Sequence, residues 1–137
     1  MPKIHQFDTT MQLLHKVLDL RSKNQEIIGS NIANAETPGF SARSFSFEEQ
    51  LKSVLSGGEL TMVSAHPRHI PLSSTSIDQV SGTISIKRDN TGIGDENTVS
   101  VDHEMIKLSE NQILYEAAIT MLNKKLAMLK YAASGGM

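Results

Sequence analysis

The chain has 137 residues and a formal net charge of −2, with 39% hydrophobic and only 4% aromatic residues. That leaves room for one modest domain, or for an elongated chain without a central globule; no concentrated basic face points to nucleic acid. Cysteine is absent, which excludes disulfides and thiol catalysis.

The opening stretch MPKIHQFDTT lacks the apolar core of a secretory signal peptide, and no window is long and apolar enough to span a bilayer. No membrane insertion is expected. Taken alone these features point to the cytosol, while leaving open export by a route that reads an uncleaved, disordered N-terminus.

A first helix is predicted from about Asp8-Thr9-Thr10, all capping residues. Met11, Leu14, Leu18, Arg21, Gln25, Ile28 and Ile32 recur at steps of three and four, which lays them along one helical seam. Leu13, Val17, Leu20 and Ile27 form an adjoining stripe. Arg21, Asn24 and Gln25 interrupt both stripes, as Gln112 does later. Either these polar residues face solvent, or they fix register between packed helices.

Pro38 lacks an N–H and drives Thr37 out of the α region, so the helix ends before it. Pro38-Gly39 suits the centre of a type II turn, with Gly39 at positive φ. Asn31 and Asn34 share a helical face and are expected to bond the turn's free backbone groups. Residues 1–40 thus form an N-terminal helix and turn.

The middle, 41–101, reads as a short helix plus a small β or loop insertion. Ser46-Phe47-Glu48-Glu49 has capping-box spacing and introduces a helix through Leu55, with Phe47, Leu51 and Val54 inward and Gly57-Gly58 as the stop. Short β-branched runs follow, LTMV at 60–63, TISI at 83–86 and TVSV at 98–101, consistent with a hairpin.

The last unit, 102–137, is a long helix capped by Asp102. Met105, Leu108, Gln112, Tyr115, Ile119, Leu122, Leu126, Leu129 and Ala133 form its seam, widened by Ile106, Ile113, Ala117, Ala118, Met121 and Met128. Gly135-Gly136 stops it. At 1.5 Å per residue it runs roughly 48 Å, whereas a compact globule of this length is about 37 Å across. Each large apolar side chain left in water forgoes about 1.5–3 kcal/mol. The fold class expected is therefore mainly α, with two long terminal helices packed as a coiled-coil-like pair or bundle with neighbouring subunits.

Sites for chemistry are not prominent. His66-Pro67-Arg68-His69 invites a metal-site reading, but Pro67 opposes a helix and no third ligand has motif spacing. The loop from Asp89 resembles part of a calcium loop, yet its twelfth position is Ser100 where a bidentate Glu is needed. No nucleophile elbow or Ser-x-x-Lys pattern occurs. No catalytic, cofactor-binding or metal-binding residue is expected, and no cofactor.

The run Asn31-Ile32-Ala33-Asn34-Ala35-Glu36-Thr37-Pro38-Gly39-Phe40 follows a heptad-like helix. It resembles the signature of the flagellar rod, hook and basal-body axial proteins, close to N-x-A-N-x-x-T-P-G-[YF]. Asn31, Ala33, Asn34, Thr37, Pro38, Gly39 and Phe40 fill every fixed position, with Phe40 where Tyr is commoner. Asn97-Thr98-Val99, Asp102 and Glu104-Met105 look like the same family's lead into its C-terminal helix. Only about sixty residues separate the two matches, too few for the large domains of hook and distal-rod proteins. The resemblance is therefore to the two short proximal-rod members, and Ser64-Ala65-His66-Pro67-Arg68-His69-Ile70-Pro71 leans toward one of them.

This resemblance implies a structural subunit, not an enzyme. It would be exported by the flagellar type III apparatus without a cleaved signal and assembled in the periplasm into the rod of the basal body. Its partners would be itself, other rod subunits, and components of the membrane ring and export gate. The rod would transmit torque and enclose the export channel. The assembly interface expected from the seams comprises Met11, Leu14, Leu18, Ile28, Ile32, Met105, Leu108, Tyr115, Ile119, Leu122, Leu126 and Leu129. The rivals are a small metalloenzyme using His66 and His69, and a cytosolic coiled-coil adaptor.

Overall fold

The computed structural model describes residues 8–56 and 76–135. The run at 60–63, the histidines at 66 and 69, Gly57-Gly58 and Gly136 lie outside them. Helix α1 spans Thr9–Ala33, strand β1 Ala42–Ser46 and helix α2 Glu48–Leu55. A 3-10 turn at Ile77–Gln79, strand β2 at Thr83–Lys87 and helix α3 at Val101–Ala133 complete the order. No helix among the described residues is long and apolar enough to cross a membrane.

The two long helices lie antiparallel. Asp8 at the head of α1 pairs with Lys125 (2.7 Å), Asn24 bonds Asn111 (3.1 Å), and Asn31 near its end bonds Glu104 (2.9 Å). With 33 residues α3 is the longer, about 50 Å. Past Lys125 it continues for some two turns with no described part of α1 beside it. Gly135, at φ 73°, ends it in the left-handed conformation that glycine tolerates.

β1 and β2 form a two-stranded antiparallel sheet, Phe45 opposite Ile84 and Arg43 opposite Ile86. The core sits where this sheet meets α1. Leu20, Phe45, Phe47 and Val80 are buried together, with Ile27, Leu51 and Val54 against them. The second stripe of α1 thus faces the small sheet and α2, while its main seam faces α3. Phe47, Leu51 and Val54 point inward as their spacing predicts.

Four local expectations differ. TVSV is not a strand, because Thr98 bonds Phe40, Ala42 and Lys87, the Val99 N–H turns back to the Asn97 side chain, and Val101 already opens α3. Ser100, not Asp102, is the cap position; Asp102 lies in the first turn, where its charge complements the positive end of the helix dipole. The capping box at Ser46 is not used, since Ser46 ends β1 and Phe47 precedes α2. Instead the Phe47 N–H donates to the Glu48 carboxylate (3.1 Å). Finally, β1 itself is absent from the sequence reading; ARSFS has one buried side chain, Phe45, and little apolar signal.

Candidate assembly site

The signature 31–40 and the stretch 97–104 are one structural site. Chain reversal after α1 starts at Asn34, whose carboxamide donates to the Ser30 carbonyl (2.8 Å) and accepts from the Thr37 hydroxyl (3.2 Å). The Phe40 N–H donates to the Thr37 carbonyl (3.2 Å), and Gly39 sits at φ 74°. This is the expected type II turn.

The end of α1 leaves carbonyls without helical partners, and Asn97 supplies the donor. Its side-chain N–H₂ group faces the carbonyls of Asn34 (2.9 Å), Ala35 (2.9 Å) and Thr37 (2.8 Å). Its carboxamide oxygen accepts the Val99 N–H (2.8 Å). Thr98 adds a second link: its hydroxyl donates to the Lys87 carbonyl (2.7 Å) and accepts the Ala42 N–H (2.8 Å). The turn and both strands are locked together by two adjacent side chains, three to four residues before α3 begins.

Asn31 does not serve the turn. It points inward, fully buried, and bonds Arg43 of β1 and Glu104 of α3. It lies on the inner side of α1, whereas Asn34 and Asn97 complete the turn. Glu104, 3% exposed, also accepts from Lys107 (2.7 Å). One heptad along α3, Asn111 is 2% exposed. Its oxygen accepts from Arg21 (3.3 Å) and Asn24 (3.1 Å), and its N–H₂ group donates to the Arg21 carbonyl (3.0 Å). Arg21 further lies over the Phe47 ring, 5.1 Å from its centroid, and 3.7 Å from Glu48. Of the polar interruptions, Arg21 and Asn24 therefore join helices, while Gln25 and Gln112 face solvent. Glu104 and Asn111 have no place in the apolar seam read from the sequence. Their signal is the seven-residue repeat with Ala118, matched by Asn24 and Asn31 on α1.

The remaining signature residues sit at the surface: Ala33, Thr37, Pro38 and Gly39 are exposed, Asn34 and Phe40 half-buried. Among the seam residues, Met11, Leu14 and Ile28 are buried within the protomer. Leu18, Ile32, Leu108, Tyr115 and Leu122 are half-buried. Met105, Ile119, Leu126 and Leu129 are exposed, joined by Ile106, Ile113, Met121, Met128 and Tyr131. A groove of about 500 Å³ beside Met11, Leu122 and Leu126 continues this apolar surface. Exposed apolar side chains thus recur along α3, interspersed with polar ones such as Glu110, Gln112 and Lys124.

Among the described residues no group of three or more His, Asp or Glu side chains is placed to hold a metal. Asp89 accepts from the Thr91 hydroxyl and N–H, which hold its carboxyl below the usual carboxylate range.

A clamped turn, a small sheet and a helical hairpin with an apolar outer surface define a structural subunit. The family profile described as flagella basal body rod protein matches residues 18–40. The flagellar basal body rod protein FlgB of Salmonella typhimurium is 32% identical over 97% of this chain and 99% of its own length. FlgB of Bacillus subtilis is 33% identical over 95% and 97%, and FlgB of Escherichia coli 29% over 96% and 99%. The chain belongs to the FlgB family of flagellar basal body rod proteins.

Proposed function

We propose that the chain polymerises with its own copies and other rod subunits into the proximal rod of the flagellar basal body. Contacts between unlike surfaces that do not close a ring generate a helical array, and the outer face of α3 supplies such a surface. The carrying observation is its apolar exterior: Ile113 is 67% exposed and Tyr131 63%, with Ile106, Met121 and Met128 between and beside them. Close-packed helix interfaces of this kind resist torsion, which suits a shaft that transmits torque around an export channel. Location in the periplasm, delivery by the type III apparatus without a cleaved signal, and contact with the membrane ring and export gate complete the reading.

Ile113→Asp with Met128→Asp tests it. Both positions are exposed, so the protomer should keep its stability within about 0.5 kcal/mol. Placing carboxylates in an interface that becomes buried should abolish rod incorporation and motility. Cells that swim normally on this variant alone would refute the proposed face.

A further inference from the structure

Two faces of α3 compete for contact with α1. Met105, Leu108, Gln112, Tyr115, Ile119, Leu122 and Leu126 make the more apolar one. The face in place contains Glu104, Asn111 and Ala118, with Leu108, Tyr115 and Leu122 common to both. Alternate positions differ by one residue, about 100° of helix, so the two faces are related by a roll of about 50°. Met105, Ile119 and Leu126 are left 49%, 36% and 44% exposed, the reverse of what apolar burial alone would select.

We infer that the hydrogen-bonded sets Asn31–Glu104 and Arg21–Asn24–Asn111 hold α3 rolled away from its most apolar seam, keeping Met105, Ile119 and Leu126 on the outside for a neighbouring rod subunit. A 50° roll moves a side chain about 5 Å around a helix of this diameter, beyond the tolerance of a hydrogen bond. It would strand Glu104 and Asn31, whose side chains are buried with their partners in place, and buried polar groups without partners are disfavoured. α1 is turned to match, with Asn24 and Asn31 inward and Gln25 outward. Where the freed side chains dock rests on the assembly reading above. The roll itself does not.

The chain lacks cysteine, so single thiols report the roll directly in the isolated full-length protein. Ala118→Cys, at a position 2% exposed, should react with a maleimide about tenfold or more slowly than Ile119→Cys, because reaction there needs local opening. Combining Asn24→Ala, Asn31→Ala, Glu104→Ala and Asn111→Ala, which removes the hydrogen bonds without making the present face more apolar than its rival, should collapse or invert that ratio. Asn111→Ala alone, which leaves the Asn31–Glu104 bond, should shift it in the same direction by a smaller factor and remains readable if the fourfold variant does not fold. Adding Met105→Gln and Leu126→Gln should restore the original ratio by removing the apolar alternative. An unchanged ratio in the folded fourfold variant, or in Asn111→Ala where the fourfold one does not fold, overturns the inference whatever happens to motility. A changed ratio with normal rod assembly upholds the roll and counts against the docking role of these side chains.

Discussion

The Asn31 carboxamide stands beside Arg43 as a neighbouring strand would. Its oxygen accepts the Arg43 N–H at 3.0 Å and its N–H₂ group donates to the Arg43 carbonyl at 2.6 Å. One side chain of a helix thus supplies both bonds that a third strand would make at the open edge of β1. The same N–H₂ group reaches Glu104 at 2.9 Å, so sheet, α1 and α3 converge on a single amide.

Asn31→Ala should therefore destabilise by about 2–4 kcal/mol, since it leaves buried backbone and carboxylate groups unsatisfied. Asn31→Asp should be worse at neutral pH, because a second carboxylate would face Glu104. Urea unfolding with unchanged m-value measures both. A loss under about 0.5 kcal/mol for the alanine variant would mean that water replaces the amide.

Asn97→Ala should loosen the whole turn. Three carbonyls lose a donor, those of Asn34 and Thr37 keeping the Thr37 and Phe40 N–H groups, and the Val99 N–H loses its acceptor, for a cost of about 2 kcal/mol. Amide hydrogen exchange at Val99 and Thr98 should quicken before that of central α3. Asn97→Asp, with no N–H to offer the carbonyls, should be at least as damaging. Full retention of Val99 protection in either variant would contradict the clamp.

Much of this architecture is visible in residue spacing, and the exceptions have a common physical cause. Three-four repeats reveal α1 and α3, and Phe47, Leu51 and Val54 reveal the inner face of α2, because apolar burial follows local periodicity. The face of α3 is not visible this way. It is set by Asn31–Glu104, 73 residues apart, and Asn24–Asn111, 87 apart; apolar periodicity passes over the polar heptads that hold these residues and does not say which of them pair. β1 is equally hidden, as Asn31 and β2 hold a polar strand from both edges. The signature run and the Asn97 stretch are both recognisable as motifs, but that Asn97 completes the turn of the other appears only in three dimensions.

Two glycines separate backbone strain from steric overlap. Gly39 has φ 74° with open space around its Cα, so Gly39→Ala should cost only the left-handed conformation, about 1–2 kcal/mol. Gly82 combines φ 69° with an approach to the Phe45 ring that a Cβ would penetrate, and Phe47 Cβ lies 3.2 Å from that position. Gly82→Ala should cost about 3 kcal/mol or more, as the Phe45–Phe47 core must shift. Thermal unfolding ranks the two, and equal losses would mean that the core yields freely there.

The Asp8–Lys125 pair marks the level at which α1 stops accompanying α3. Lys125 lies 2.7 Å from the Asp8 carboxylate and holds its pKa below the ordinary 3.8, with the Thr10 and Thr9 N–H groups acting in the same direction. A depressed carboxylate pKa stabilises the folded state above its unfolded value and loses that contribution as pH falls through the folded one. The affected window therefore lies at and below pH 3.8, and near neutrality the pair is constant. Both side chains reach solvent, which screens the attraction. Carboxyl chemical shifts followed by NMR should place the Asp8 titration below the ordinary 3.8, and Lys125→Ala should return it toward that value with little change in melting at pH 7. Raising the salt concentration should move it the same way. An Asp8 titration indifferent to Lys125→Ala would show that the ends of the two helices do not meet at this level in solution.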